Sequence, residues 1–120
     1  MTVREAIDRV DAIKPNAFDD NAKLAWLNEV EGDIQVQIHG LEPEDLTAYQ
    51  LPANSAAVLL VPAPFDRLYP LRLGAMVDFA NGEYDKYQNS MAMANGAYQD
   101  YAAWYIRKHP KGGGRYFSNY

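Results

Sequence analysis

The residues that could do chemistry are few and scattered along the chain. The two histidines, His39 and His109, lie at the ends of predicted helices and lack a His-x-x-x-His spacing, so a zinc ion would find too few ligands. A histidine near a helix C-terminus often interacts as a cation with the helix dipole, and we favour that interpretation for both. The sequence has no cysteine, which excludes disulfides, thiolate metal sites and a thiol nucleophile.

The remaining polar clusters do not predict catalysis either. No serine lies in a Gly-x-Ser-x-Gly elbow. The Gly112–Gly114 run lacks the Lys-Ser/Thr pair of a phosphate loop. Glu42, Glu44 and Asp45 lack the alternating ligands of a calcium loop, which favours a solvated acidic loop over a cation site. The sequence therefore predicts no catalytic site, no metal site and no cofactor.

Size and charge narrow the class of protein. A chain of 120 residues fits one domain, and a net charge of −5 gives no overall basic footprint for nucleic acid. From Arg107 onward the chain carries four bases and no acid, which suggests contact with an acidic neighbour. The longest apolar run, residues 56–61, is far too short to span a bilayer. We expect a soluble, intracellular protein without a membrane segment.

The first predicted helix covers about residues 3–14. Thr2 and Glu5 form a capping-box pattern at its start. Its apolar residues recur at helical spacing: Val3, Ala6, Ile7, Val10 and Ile13. Pro15 ends this helix, because a proline disfavours helical backbone at the residue before it.

The second predicted helix covers about residues 20–39 and begins at a cap, either Asp19 or Asp20. One face is apolar and consists of Leu24, Leu27, Val30, Ile34 and Ile38, with Trp26 at its flank. Residues 34–38 also alternate apolar and polar, as a strand would. The upstream stripe continues through them in phase, however, which favours a helix that stops at Gly40.

Residues 40–65 predict a long connection, because four prolines forbid a long helix there. Within it, Val58–Val61 reads as an extended segment lying across the helices. One interpretation is a buried plug. The other is a strand that pairs only in an assembly, since this sequence offers it no partner strand.

The C-terminal half predicts two more helices. One covers residues 67–80, with Pro70 tolerated near its first turn, and Asn81-Gly82 predicts a tight turn after it. The other covers about residues 83–108 and follows a heptad pattern of Tyr84, Tyr87, Met91, Ala94, Tyr98, Tyr101 and Tyr105. Gly96 weakens this helix by roughly 1 kcal/mol, although a glycine there could also permit close packing.

Tyrosines and the C-terminal tail are the candidate contact residues. Five of the nine tyrosines lie between Tyr84 and Tyr105, where core packing alone and core packing plus a protein interface are both open interpretations. Residues 111–120 predict a flexible tail that is either a disordered end or a docking arm. The candidate interface residues are Tyr98, Tyr101, Tyr105, Arg115, Tyr116, Phe117 and Tyr120.

Taken together, the patterns predict an all-α, four-helix bundle-like domain over residues 1–110. Its C-terminal helix is long, and an extended loop joins its second and third helices. Residues 111–120 would follow as the flexible tail.

Several stretches of this chain resemble small proteins from the head–tail morphogenesis region of tailed phages and prophages. They are Val3-Arg4-Glu5-Ala6-Ile7-Asp8-Arg9-Val10-Asp11, Lys23-Leu24-Ala25-Trp26-Leu27, Leu60-Val61-Pro62-Ala63-Pro64-Phe65-Asp66-Arg67-Leu68-Tyr69-Pro70, Asp78-Phe79-Ala80-Asn81-Gly82-Glu83 and Tyr87-Gln88-Asn89-Ser90-Met91. The resemblance covers most of the chain except the loop near residues 40–57 and the tail.

The resemblance implies a head–tail connector, or adaptor, whose copies form a ring below the portal protein. The implied partners are neighbouring copies, the portal and a tail-side completion protein, first in the host cytoplasm and then in the virion. DNA would pass through the ring without sequence-specific binding, and an acidic surface suits such sliding. The alternative is a free-standing helical protein-binding module, such as a phage-encoded regulator of a host protein.

Overall fold

The structure, a computed structural model, describes residues 1–110, which form four α-helices and no β-strand. The helices are α1 (Val3–Ile13), α2 (Asp20–Asp33), α3 (Leu68–Ala80) and α4 (Tyr84–Lys108). A π-helical turn, Ile34–Ile38, continues α2, and 3-10 turns cover Pro43–Asp45 and Phe65–Arg67. All four helices contribute to one hydrophobic core. The all-α fold with a long last helix is confirmed, whereas the flexible-tail prediction falls on residues outside the described range.

The helices α1 and α2 begin at the predicted caps. The Glu5 backbone N–H donates to the Thr2 hydroxyl over 3.1 Å, and the Thr2 N–H donates to the Glu5 carboxylate over 3.0 Å, which completes the capping box. At α2 the cap is Asp19, whose carboxylate accepts from the Ala22 N–H over 2.8 Å. Both helices therefore begin where side chains satisfy their first backbone donors.

The apolar stripes of the first two helices form much of the core. In α1 the buried members are Val3, Ala6, Ile7 and Val10, and in α2 and its π-helical turn they are Leu24, Leu27, Val30, Ile34 and Ile38. Ile13, the last apolar residue of the α1 stripe, is instead 66% exposed. The reason is that α1 ends at Ile13 beside an open groove, so no helix covers its last apolar position.

The second helix carries a stripe of polar side chains in addition to its apolar face. Asn28, Glu31 and Gln35 recur at helical spacing on α2 and its π-helical turn, and we call them the polar stripe. The Asn28 side chain pairs with the backbone of Tyr49 over 2.9 and 3.1 Å. The Gln35 side chain pairs with the backbone of Thr47 over 3.0 and 3.1 Å. Side chains thus replace the neighbouring strand that this part of the loop lacks.

Glu31 is the centre of that stripe and is fully buried. One carboxylate oxygen accepts from the Tyr49 hydroxyl over 2.8 Å and from the Leu60 N–H over 3.1 Å. The other accepts from the Tyr69 hydroxyl, which in turn accepts from the Val61 N–H over 3.0 Å. Burial, together with the nearby Glu31, raises the pKa of both tyrosines above the ordinary value, so their hydroxyls stay protonated as donors.

The segment Val58–Val61 lies over the helices as a plug. Leu59 and Val61 are buried, while Val58 is 71% exposed. The Leu59 N–H donates to the Met1 carbonyl over 2.9 Å, and Val58 forms an isolated antiparallel bridge with Thr2. Because the N–H groups of residues 59–61 all donate within the chain, the segment has its partners without an assembly. This matches the plug interpretation.

A tight turn joins α3 to α4. Gly82 has φ of +75°, a conformation that side chains other than glycine rarely adopt, and the Glu83 N–H donates to the Asp78 carbonyl over 2.9 Å. Pro70 lies in the first turn of α3, as predicted. The two helices therefore pack as an antiparallel hairpin.

The tyrosine heptad of α4 is buried unevenly. Tyr101 is 2% exposed, whereas Tyr84 is 58% exposed. The first turns of α4 contact Phe79 of α3 through Tyr84 and Tyr87. Further along, Tyr101 packs against Phe65 and against His39 at the end of the π-helical turn. The core half of the heptad is therefore its C-terminal half.

Replacing the buried carboxylate by an amide, Glu31→Gln, is expected to destabilise the fold by about 1–3 kcal/mol, because one end of the amide would face a hydrogen-bond donor. Urea denaturation measures the change in unfolding free energy. The matched control is Glu29→Gln, an exposed position on the same helix that should shift stability by less than about 0.5 kcal/mol. Equal losses in the two variants would contradict the central role of Glu31.

Candidate functional site

An apolar groove lies between α3 and α4, open to solvent and with a volume of about 590 Å³. Its apolar walls are Ile13, Pro70, Leu71, Met93 and Ala97. Ile13 and Met93 leave 66% and 62% of their surface exposed, although both are large and hydrophobic. We call this feature the α3–α4 groove.

Two glycines line the groove and play different parts. A Cβ atom at Gly74 would lie 3.4 Å from side-chain carbons of Lys14, so this glycine permits a close approach of the end of α1 to α3. A Cβ atom at Gly96 would meet nothing within 4 Å. Of the two interpretations of Gly96, close helix packing is not observed: within residues 1–110 its missing side chain leaves open space in the groove wall.

Charged side chains mark the two ends of the groove. At one end Arg67 of the 3-10 turn donates to Asp100 of α4 over 2.8 Å. At the other end Lys14 donates to Asp78 and, over 3.1 Å, to the Ser90 hydroxyl. The Ser90 hydroxyl donates to Asp78 over 3.1 Å. The groove is thus an apolar trough with a polar group at each end.

The Lys14–Asp78–Ser90 triangle is a structural tie. A serine beside a lysine could act as a nucleophile with its base. Here, however, the Lys14 ammonium donates to both partners, and the Ser90 proton points to the largely buried Asp78 carboxylate. The three residues come from the end of α1, from α3 and from α4, so their hydrogen bonds hold three elements together beside the groove.

An aromatic cluster surrounds the C-terminal turns of α4. The Tyr105 ring lies between two imidazoles, with centroid distances of 4.6 Å to His39 and 4.0 Å to His109. Trp104 packs against Phe65 with centroids 5.5 Å apart. The cluster joins the end of α4 to the 3-10 turn Phe65–Arg67 and to His39, which follows the π-helical turn.

The two histidines, both predicted to interact with a helix dipole, have different surroundings. Burial, with the nearby His109, lowers the pKa of His39, which favours a neutral ring. Its Nε2 lies 2.7 Å from the Tyr101 hydroxyl, within hydrogen-bond distance. The lowered pKa thus disfavours the helix-end cation expected for His39. By contrast, His109 Nδ1 donates to the carbonyl of Tyr105 in the last turn of α4, over 3.0 Å.

The structure separates the predicted contact residues. Tyr101 lies in the core, while Tyr98 and Tyr105 are half-buried against it. The interface role proposed for these tyrosines stays a prediction. Arg115, Tyr116, Phe117 and Tyr120 lie outside the described residues. The groove joins none of these tyrosines, and its one sequence signal was the spacing of Met93, Gly96, Ala97 and Asp100 on one face of α4.

The acidic loop residues Glu42, Glu44 and Asp45 are all exposed, as a solvated loop requires. In the described part of the chain no helix combines the length and hydropathy needed to cross a membrane. Comparisons of the sequence with protein families and curated proteins, and of the structure with solved structures, found no match. The resemblance to phage connectors therefore remains a proposal.

The open space at Gly96 gives a stability prediction. Gly96→Ala should stabilise the fold by about 0.5–1 kcal/mol, because alanine suits a helix interior better and its methyl group would meet no neighbour among residues 1–110. Gly82→Ala, the control, should lower stability because its backbone has a positive φ. Thermal or urea denaturation compares the two. A destabilised Gly96→Ala variant would show that the groove closes over this position.

Proposed function

We propose that this chain is a structural subunit of a tailed-phage or prophage head–tail connector, assembling in a ring below the portal. Its role is mechanical: it joins the portal to the tail-side completion protein and lets DNA pass. It would act in the virion after assembly in the host cytoplasm. Two observations support this proposal: the stretches that resemble connector proteins and a four-helix fold of the kind the resemblance implies.

The observation that carries the proposal is the α3–α4 groove. Contiguous apolar surface with a polar rim is typical of a surface that another protein covers. Full burial of a side chain such as Ile13 or Met93 contributes about 1.5–3 kcal/mol. Covering both would therefore supply a substantial share of a subunit contact, and no chemical step is needed to explain the groove.

A ring constrains how such a groove is used. In a closed ring each copy presents one surface to a different surface of the next copy. We assign the groove as one of these two surfaces, with a neighbouring subunit of the ring as its occupant. The ion pairs at its ends, Arg67–Asp100 and Lys14–Asp78, add charges that fix the register of docking.

The charge of the chain suits the passage of DNA. The net charge is −5, so the ring as a whole carries the same sign as the DNA backbone. Like charges repel, so the DNA would not adhere to the subunits, and its passage requires no sequence-specific contacts.

A charge placed in the groove tests this function. Met93→Glu should reduce the amount of the chain retained on purified portal complexes about tenfold, because a carboxylate would be buried in an apolar contact. The matched control is Asn95→Glu, which is exposed and lies about 200° around the same helix. Co-purification of each variant with the portal, followed by counting of bound chains, gives the comparison.

Both variants should keep the helical circular dichroism of the parent chain, since both positions are exposed. Normal retention of Met93→Glu would remove the groove from the ring contact. A parent chain that stays monomeric in light scattering with the portal present, and that binds a host protein instead, would favour the regulator alternative.

A further inference from the structure

Within residues 1–110 the α3–α4 groove stays open, with two large apolar side chains largely exposed to water. Ten further residues follow Pro110, Lys111 to Tyr120, and three of them are aromatic. The reach of this tail can be compared with the position of the groove, because α4 lines the groove and ends at Lys108, two residues before Pro110.

The tail is long enough to return to the groove. From Asp100, at one end of the groove, to His109 the chain rises about 13 Å, at about 1.5 Å per helical residue. An extended chain covers about 3.3 Å per residue, so Arg115 can lie about 17 Å from Pro110. The run Gly112–Gly114 supplies backbone freedom for the reversal. Arg115 can therefore come level with Asp100.

The length of the remaining tail matches the length of the groove. From Asp100 to Ser90 the groove follows α4 for ten residues, about 15 Å. The five residues from Tyr116 to Tyr120 cover about 13–16 Å when extended. In this register Tyr116 falls about level with Ala97, next to the open space at Gly96, and Ser118 falls beside Met93.

The chemistry of the two surfaces is also complementary. The Asp100 side chain is 60% exposed and uses one carboxylate oxygen for Arg67, so the other can accept from Arg115. In an extended segment Tyr116, Ser118 and Tyr120 share one face. That face would cover the exposed surfaces of Met93 and Ile13 with aromatic rings.

We propose that in the free subunit residues 115–120 of the chain fill its own α3–α4 groove, with Arg115 at Asp100. Being tethered, the tail has a high local concentration at the groove, and a neighbouring subunit must displace it. The consequence, that subunits avoid premature association, rests on the proposed connector function. The docking of the tail does not.

The cysteine-free chain allows a direct test by disulfide formation. The double variant Met93→Cys/Ser118→Cys places a thiol pair where the register predicts contact, and a disulfide requires Cα atoms within about 7 Å. The control, Asn95→Cys/Ser118→Cys, uses the same tail thiol with an exposed position on the opposite face of α4. Dilute protein is oxidised mildly, and mass spectrometry follows the intramolecular disulfide.

We expect the Met93 pair to close roughly tenfold faster than the Asn95 pair. Adding Gly96→Leu, which fills the groove, should lower the rate of the Met93 pair to that of the control. Equal rates for the two pairs would overturn the proposal, and so would disulfides that form only between chains, since these would identify a second copy as the occupant. Either result would leave the portal-retention experiment unaffected, so the two proposals fail separately.

Discussion

The need to give hydrogen-bond partners to a non-helical backbone inside the molecule governs this fold. An irregular segment that crosses a helical core carries N–H and carbonyl groups that water cannot reach. The polar stripe of α2 meets this need: Asn28 and Gln35 bind the loop backbone, and Glu31 gathers Tyr49, Leu60 and Tyr69. With these groups satisfied, Leu59 and Val61 can lie in the core, and the loop becomes part of the structure.

The parts of this fold that the sequence predicted are those that local physics determines. The capping box at Thr2, the turn at Gly82 and the apolar stripe of α2 each depend on residues within a few positions of one another. The polar stripe does not. Glu31 pairs with groups 18, 29 and 38 residues away, so its role appears only when the loop and α3 are in place.

The groove escaped prediction for a similar reason. Its walls come from the end of α1, from α3 and from α4, and the helical period alone assigns Ile13 to the buried stripe of α1. Whether the last apolar residue of a helix is buried depends on which other elements pack beside it, and the sequence of that helix alone does not determine this. For the tyrosines of α4 the opposite is true. Their enrichment suggested an interface, yet Tyr101 is buried in the core and forms a hydrogen bond with His39.

The two glycines of the groove differ in what surrounds their missing side chains. Both occupy helix interiors, where glycine costs about 0.5–1 kcal/mol relative to alanine. At Gly74 the chain itself occupies the surroundings, because an added Cβ atom would lie 3.4 Å from the Lys14 side chain that reaches Asp78. At Gly96 no atom of residues 1–110 lies within 4 Å of the missing Cβ to offset this cost. A bare position in an apolar trough gains its compensation when an incoming side chain fills the space. This difference is the reason that the docking surface we propose is the α3–α4 groove and not the tyrosine heptad.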